Sequence, residues 1–307
     1  MYRENLYNKV LLDPLKNFRV NELYIVSGYA SATFAKRHLI DTKKSNPRIN
    51  LIIGMPGKKN DHIAFVELHN QFADRFNGYY LNSQPPVHSK TYSWCYHSNG
   101  VMGFSGSSNY SQQGFFDNLQ INQMIKDNPF EIKNFFEVLL QKSTPMTEWE
   151  YETSLGDIIP AFKGRISPGK TEWTAENTVK ISFLDRRTGN LPARSGLNWG
   201  QREGREPNQA YLSLKGDSRR KGFLPDMALR FSLITDDNKS FDCVVAQEGR
   251  KAIETTDDNS ILGKYIRKRI GVQLGQLVTR EDLENYGRTD FSIMKLDDET
   301  ILFDFSV

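Results

Sequence analysis

Residues 87–111 read VHSKTYSWCYHSNGVMGFSGSSNYS. The stretch opens with a histidine two positions from a lysine, His88 and Lys90, and closes with Gly106-Ser107-Ser108-Asn109. HSKTYSWCY alternates as a strand does, and GVMGFSG predicts a second short strand. In a strand, residues two apart share a face, so His88 and Lys90 are expected to line one surface. Unprotonated imidazole is a competent nucleophile near neutral pH. An ammonium can hold an oxygen of an anion, and a small-residue turn offers hydroxyls, an amide and backbone N–H groups to the same oxygen. The chemistry that needs these groups together is attack on a phosphodiester, an anion best approached by a neutral nucleophile in cationic surroundings.

The flanks predict an α/β half. ELYIVSGYAS (residues 22–31) is a buried-strand run ending at a Gly turn, and SATFAKRHLIDTKK follows with helical spacing. RINLIIGMPG (48–57) is a second buried strand stopped by Pro-Gly, and DHIAFVELHNQFADRF (61–76) predicts a helix capped by Asp61. LQINQMI (119–125) predicts a further strand and PFEIKNFFEVLLQKS an amphipathic helix. This order implies a largely parallel, helix-covered sheet. Residues 143–178 read as a linker.

Beyond residue 178 short strands dominate: VKISFLD, QAYLSL, MALRFSLIT, SFDCVVAQ, DFSIMKLDD and TILFDFS. Two helices interrupt them. SILGKYIRKRIG begins at Asn259 or Ser260, and residues 280–286 carry a Thr279/Asp282 capping box with Gly287 as the stop. A small, mostly antiparallel barrel or sandwich is expected. The expected domains are 1–165 and 166–307.

Net charge is only +3, so its distribution matters more than its total. Residues 180–230 hold eleven Lys and Arg against five Asp and Glu. Within them, ARSGLNWGQREGREPNQAY groups Arg194, Asn198, Trp199, Gln201, Arg202 and Arg205 with three glycines. Arg, Asn and Gln are the side chains that pair bidentately with guanine and adenine edges, and glycines let a loop approach a groove closely. A second basic cluster, residues 250–269, lies partly around a helix, so its cations cannot all face one ligand.

Hydrophobic residues make up 38% and charged residues 25%, as in a globular protein. Two distant cysteines, Cys95 and Cys243, form neither a disulfide framework nor a zinc set. The charged start, MYRENLYNKVLLDPLKNF, does not resemble a signal peptide, and no apolar run is long enough to span a membrane. A reducing, cytoplasmic setting is expected.

H-x-K followed by G-S-x-N resembles the phospholipase D superfamily signature. More narrowly, HSKTYSW with GSSNYSQQGF is similar to the phospholipase-D-type restriction endonucleases of the NgoFVII family, and VSGYAS and IIGMPG fit the two strands that precede the motif there. The second half resembles the C-terminal domain of the same family in SGLNWGQR, PNQAYLSL, KAIETTDDNSILGKYIRKR and DLENYGRTDFSIMKLDDETILFDFS. The resemblance implies a phospholipase-D-like nuclease domain and a pseudobarrel of the plant auxin-response-factor type that grips the DNA major groove with two arms. The implied arms are the loops around residues 195–205 and 247–251, the second adding Gln247, Arg250 and Lys251.

The implied catalytic set is His88, Lys90, Ser107, Asn109 and Gln120. The chain departs from the superfamily pattern twice. Cys95 replaces an aspartate that the restriction branch commonly lacks. Gln120 replaces the acidic residue that orients the nucleophile, with Asp117 as a possible substitute. Each superfamily site uses two H-x-K motifs. This chain has one, since His38, His62, His69 and His97 lack a lysine two residues on. The resemblance therefore implies a homodimer with a shared site, one His88 as nucleophile and its mate as general acid.

Asp236-Asp237 and Asp257-Asp258 read as turns rather than metal ligands, so no metal cofactor is expected. Family members can work with an ATPase or helicase-like subunit and a companion DNA methyltransferase. No G-x-x-x-x-G-K-[ST] occurs here, so any ATP use falls to a partner. The expected function is restriction: sequence-specific, metal-independent cleavage of double-stranded DNA through a phosphohistidine. The alternatives are a DNA-binding protein with a degenerate nuclease domain, and a phospholipid-processing enzyme, which the Arg, Asn and Gln loops disfavour.

Overall fold

The computed structural model describes residues 1–16, 20–56, 59–82, 84–149, 177–219 and 222–307. The chain divides into two compact units, Met1–Glu152 and Thr153–Val307. The expected boundary at residue 165 lies outside the described residues.

In the first unit, β1 (Glu22–Ser27), β2 (Arg48–Ile53) and β3 (Phe76–Leu81) run parallel. β4 (Lys90–Tyr96), β5 (Asn99–Gly106), β6 (Met124–Asp127) and β7 (Ser143–Pro145) complete a seven-stranded sheet in the order β6-β5-β4-β1-β2-β3-β7. β4 returns antiparallel to β1, and β5, β6 and β7 also pair antiparallel. The sheet is therefore mixed, not largely parallel. The two residues between β4 and β5 suffice for an antiparallel return, whereas a parallel one needs a long crossover.

The helices are α1 (Ala32–Asp41), α2 (Lys59–Gln71), α3 (Gln112–Phe115) and α4 (Pro129–Leu140). Ser31 caps α1 through its side chain, and Asn128 caps α4, whose Pro129 needs no donor at the first turn. Val26, Ile52 and Leu81 from three strands bury against Phe136 and Leu139 of α4. The helix expected over 61–76 ends already at Gln71, and FNGYYL, to which no strand was assigned, forms β3. The expected strand over 119–125 is a loop up to Gln123. Residues 143–145 pair with β3, so the expected linker starts too early.

The second unit holds β8 (Thr178–Ser182), β9 (Leu212–Ser213), β10 (Arg230–Thr235), β11 (Ser240–Ala246), β12 (Ala252–Thr255), β13 (Asp290–Lys295) and β14 (Thr300–Asp304). They form one curled half-barrel sheet in the order β8-β13-β14-β10-β11-β12-β9. Only β10 and β14 pair in parallel. Phe231, Leu233, Ile253, Phe291, Ile301 and Phe303 fill its core against α5 (Ser260–Arg269) and α6 (Arg280–Tyr286). The Thr279/Asp282 capping box forms as expected, with Gly287 left-handed at φ 102°. The start of α5 is held by Asp258, whose carboxylate accepts from the Ser260 N–H and hydroxyl. Asp236 accepts from Arg269 and from the Phe305 N–H. Both acidic pairs thus serve a turn and a cap.

Candidate functional site

The Val87–Asn109 region is fixed at one end of the mixed sheet by backbone contacts. Gly28 N–H donates to Ser89 O at 2.9 Å, and Val87 N–H donates to Gly54 O at 3.1 Å. These glycines end β1 and β2, and both must lack a side chain. A methyl on Gly54 would stand 2.1 Å from Val87 O, and one on Gly28 would stand 2.6 Å from the His88 ring. VSGYAS and IIGMPG therefore form the clamp around the histidine.

His88 lies just before β4 rather than on it, so the expected shared strand face does not apply. His88 is exposed, while Lys90, the first residue of β4, is 8% exposed. The Lys90 ammonium donates to His88 O at 3.0 Å. The His88 ring meets the edge of Tyr29, with centroids 5.8 Å apart. Desolvation and then the Lys90 charge push His88 below the ordinary histidine range. Desolvation likewise lowers Lys90. Both effects on His88 favour the neutral, nucleophilic form of the imidazole.

The closing turn returns to the same place. Tyr29 N–H donates to Asn109 Oδ1 at 3.3 Å, and no hydrogen bond among the described residues engages the Asn109 NH2. Ser27 Oγ accepts from Tyr110 N–H at 3.0 Å, and Tyr92 donates to Ser108 O at 2.7 Å. Buried His38 meets the Tyr110 hydroxyl at 2.7 Å, and burial lowers its pKa to about 4. Ser107 is already engaged: its hydroxyl donates to Asn122 Oδ1 at 3.0 Å and accepts from Gln123 N–H at 3.0 Å. It braces the loop before β6.

Gln120 lies exposed in that loop, and no hydrogen bond joins its side chain to His88 among the described residues. Its expected orienting contact is absent from this arrangement, because the strand begins four residues later. Asp117 accepts from the Asn5 N–H at 2.6 Å, so it secures the N-terminal segment instead. Tyr29, Ser27 and Asn122 carry positioning roles that the motif did not disclose. Of these, Ser27 and Tyr29 sit in the quoted VSGYAS and were legible only as part of a strand end. His97 sits in the turn at the far end of β4 from Lys90.

In the second unit the expected reading residues separate into two groups. Arg194, Arg202, Arg205 and Lys251 are exposed. Arg205 stacks 3.9 Å over the half-buried Trp199 ring, and Arg202 Nε donates to Arg194 O at 2.7 Å. Asn198 is wholly buried. Its amide donates to Pro192 O and Val278 O and accepts from Val278 N–H. No edge of it remains for a base, so it leaves the candidate set. Gln201 donates to Pro207 O and Gly275 O. Gln247 donates to Glu254, and Arg250 spends its guanidinium on Leu224 O, Pro225 O and Asp226. Arg250 therefore braces a neighbouring loop rather than presenting a charge.

Comparison with known families gives two matches. Residues 4–152 match the NgoFVII restriction endonuclease N-terminal PLD domain, and residues 173–297 match the NgoFVII C-terminal B3-like DNA-binding domain. No curated protein matches the chain. Among solved structures, the chain is similar to Nuc, a phospholipase D family member from Salmonella typhimurium, at 14% identity and TM-score 0.32, covering 43% of this chain and 86% of that one. NucT from Helicobacter pylori gives 14% identity and TM-score 0.32, covering 47% and 96%. Polyphosphate kinase from Porphyromonas gingivalis gives 12% identity and TM-score 0.31, covering 43% of this chain and only 20% of the kinase. Among the described residues, no helix is long and apolar enough to cross a membrane.

Proposed function

This chain belongs to the NgoFVII family of restriction endonucleases, and from that premise we propose that it cuts double-stranded DNA at a specific sequence through a covalent phosphohistidine. The neutral His88 ring attacks phosphorus, and the bond from phosphorus to the leaving oxygen breaks. Lys90 and the Asn109 NH2 hold the non-bridging oxygens. The leaving oxygen takes its proton from the protonated His88 of a second copy, which acts as general acid. Water then attacks the phosphohistidine, giving a proton to that second, now neutral, ring, and the phosphorus–nitrogen bond breaks to free the nucleophile.

The observation that carries this reading is the clamped, exposed His88 with its lowered pKa. Because the nucleophile is a side chain, the reaction needs no metal-activated water. Among the described residues, no group of three or more His, Cys, Asp and Glu is placed to hold a metal ion. A dimer is proposed because two histidine roles must be filled and each chain has one H-x-K. The exposed Arg194, Arg202, Arg205 and Lys251, with stacked Trp199, form the proposed DNA contacts, in part to phosphates and in part to base edges. Any ATPase or methyltransferase would be a separate subunit.

Plasmid cleavage in excess EDTA tests the proposal. The parent should cut and His88→Ala should not, while both bind the same DNA. Mixed dimers with one His88→Ala chain should be severely impaired. Cutting by the Ala variant at the parent rate contradicts the mechanism. Sequence-specific binding by a parent that never cuts favours the degenerate-nuclease alternative, for which Gln120 in place of a carboxylate is the motive.

A further inference from the structure

Arg267, on α5, is 1% exposed and makes no close ion pair among the described residues; Glu206 acts on its charge only from a longer range. A buried cation without an anionic partner is costly unless its N–H groups are satisfied. Here three of its five N–H groups donate to backbone carbonyls. Nε donates to Gln276 O at 2.9 Å, one terminal nitrogen to Leu197 O at 3.2 Å, and the other to Gly263 O at 3.3 Å. Desolvation lowers the Arg267 pKa, which marks the cost of placing charge there.

The two outer carbonyls belong to different segments. Leu197 lies in the turn Gly196–Gln201 that carries Trp199, and Gln276 lies in the connection from α5 to α6. The same two segments are joined three more times. Asn198 bonds Val278 twice, through both amide ends, and Gln201 donates to Gly275 O; Asn208, beyond the turn, adds its Oδ1 as acceptor of the Gly275 N–H at 2.7 Å. The basic loop is thus a stapled block with its arginines at the rim, and Arg267 is a charged staple at its buried base.

We infer that Arg267 is a positioning residue for sequence discrimination: its planar fork fixes the Gly196–Gln201 turn against the α5–α6 connection and so sets where Arg194, Arg202 and Arg205 meet DNA. This rests on the proposed DNA-reading role of that loop. A neutral side chain would fill the space but take the donor away from the Leu197 and Gln276 carbonyls, and the loop would lose its fixed seat. Lysine would keep the charge but could not span three divergent carbonyls.

The test uses the full chain and a duplex that the parent selects from a random-sequence pool, against a scrambled duplex. If the parent selects no sequence, the DNA-reading proposal fails independently of Arg267. If it does, Arg267→Met is measured for thermal unfolding and for the ratio of the two affinities. The expected result is a folded variant whose discrimination falls at least tenfold while scrambled-duplex binding changes less than twofold. Arg267→Lys should fall between the two, and it carries the test should the Met variant not fold. A folded variant of either kind that discriminates as the parent does, whatever its melting temperature, overturns the inference.

Discussion

The two candidate surfaces are held in opposite ways. Around His88 the flanking backbone is held chiefly by backbone, through Gly28, Gly54 and the ends of β1 and β2, with Lys90, Ser27 and Tyr92 adding side-chain bonds. No hydrogen bond among the described residues engages the Asn109 NH2 or the His88 ring. In the basic loop the backbone is fixed by side chains, and Asn198, Gln201 and Arg267 are consumed in doing so. A motif of close spacing therefore pointed at groups free to react. A composition rich in Arg, Asn and Gln pointed equally at scaffold and at surface.

The largest effect expected from this contrast lies beneath the catalytic turn. His38 is held neutral by burial against Tyr110, with a folded pKa of about 4 against an unfolded value near 6.5. Above pH 6.5 neither state binds a proton there. As pH falls from 6.5 towards 4 the unfolded chain takes up a proton that the folded chain refuses. Stability is therefore lost across that window, by about 3 kcal/mol from this group. Chemical denaturation from pH 7 to pH 4 should show the slope, and His38→Gln should flatten it. An unchanged slope would remove His38 from the account.

Next is the clamp. Gly28→Ala places a methyl against the His88 ring and should slow cleavage on the order of 100-fold, because displacing a reacting group by an ångström costs that much. DNA binding should hold. Cleavage within a fewfold of the parent would show that the ring has room the structure does not give it.

The third prediction separates scaffold from surface within the basic loop. Asn198→Ala should cost about 2 kcal/mol of stability by stranding its buried backbone partners. Arg202→Ala should leave stability within about 0.5 kcal/mol. It should instead cost about 1–3 kcal/mol of binding at the selected site. Thermal melts and binding titrations on the same two proteins decide it. An unchanged melt for Asn198→Ala, or a destabilised Arg202→Ala, would break the contrast.

The smallest effect is expected at Gln120. Exposed and without a bond to His88, it should accept Glu with a cleavage rate within about twofold of the parent. A clear acceleration, with a flatter acidic limb, would place a carboxylate on the histidine after all.

Most of the fold was legible because its elements are punctuated locally. Ser31, Pro129 and the Thr279/Asp282 box mark helix starts, and alternation marks β4 and β10. β3 and β12 were not, since Asn77 and Gly78 are poor strand formers inside FNGYYL and AIET is only a four-residue strand. At the site, the histidine, lysine and asparagine were legible from spacing. Tyr29, Ser27 and Asn122 were not, because each acts through contacts 15 or more residues away in sequence. For the same reason, burial of Asn198 was invisible: its partner Val278 lies 80 residues on.

The central claim is that His88 itself bonds to phosphorus. The direct measurement is acid-free denaturing quench of the parent with its selected DNA in EDTA, followed by proteolysis and mass spectrometry. The account predicts a DNA phosphate joined to the peptide containing His88, absent from His88→Ala. Rapid cutting with no adduct at any time, and with activity that returns only on adding a divalent cation, would contradict it.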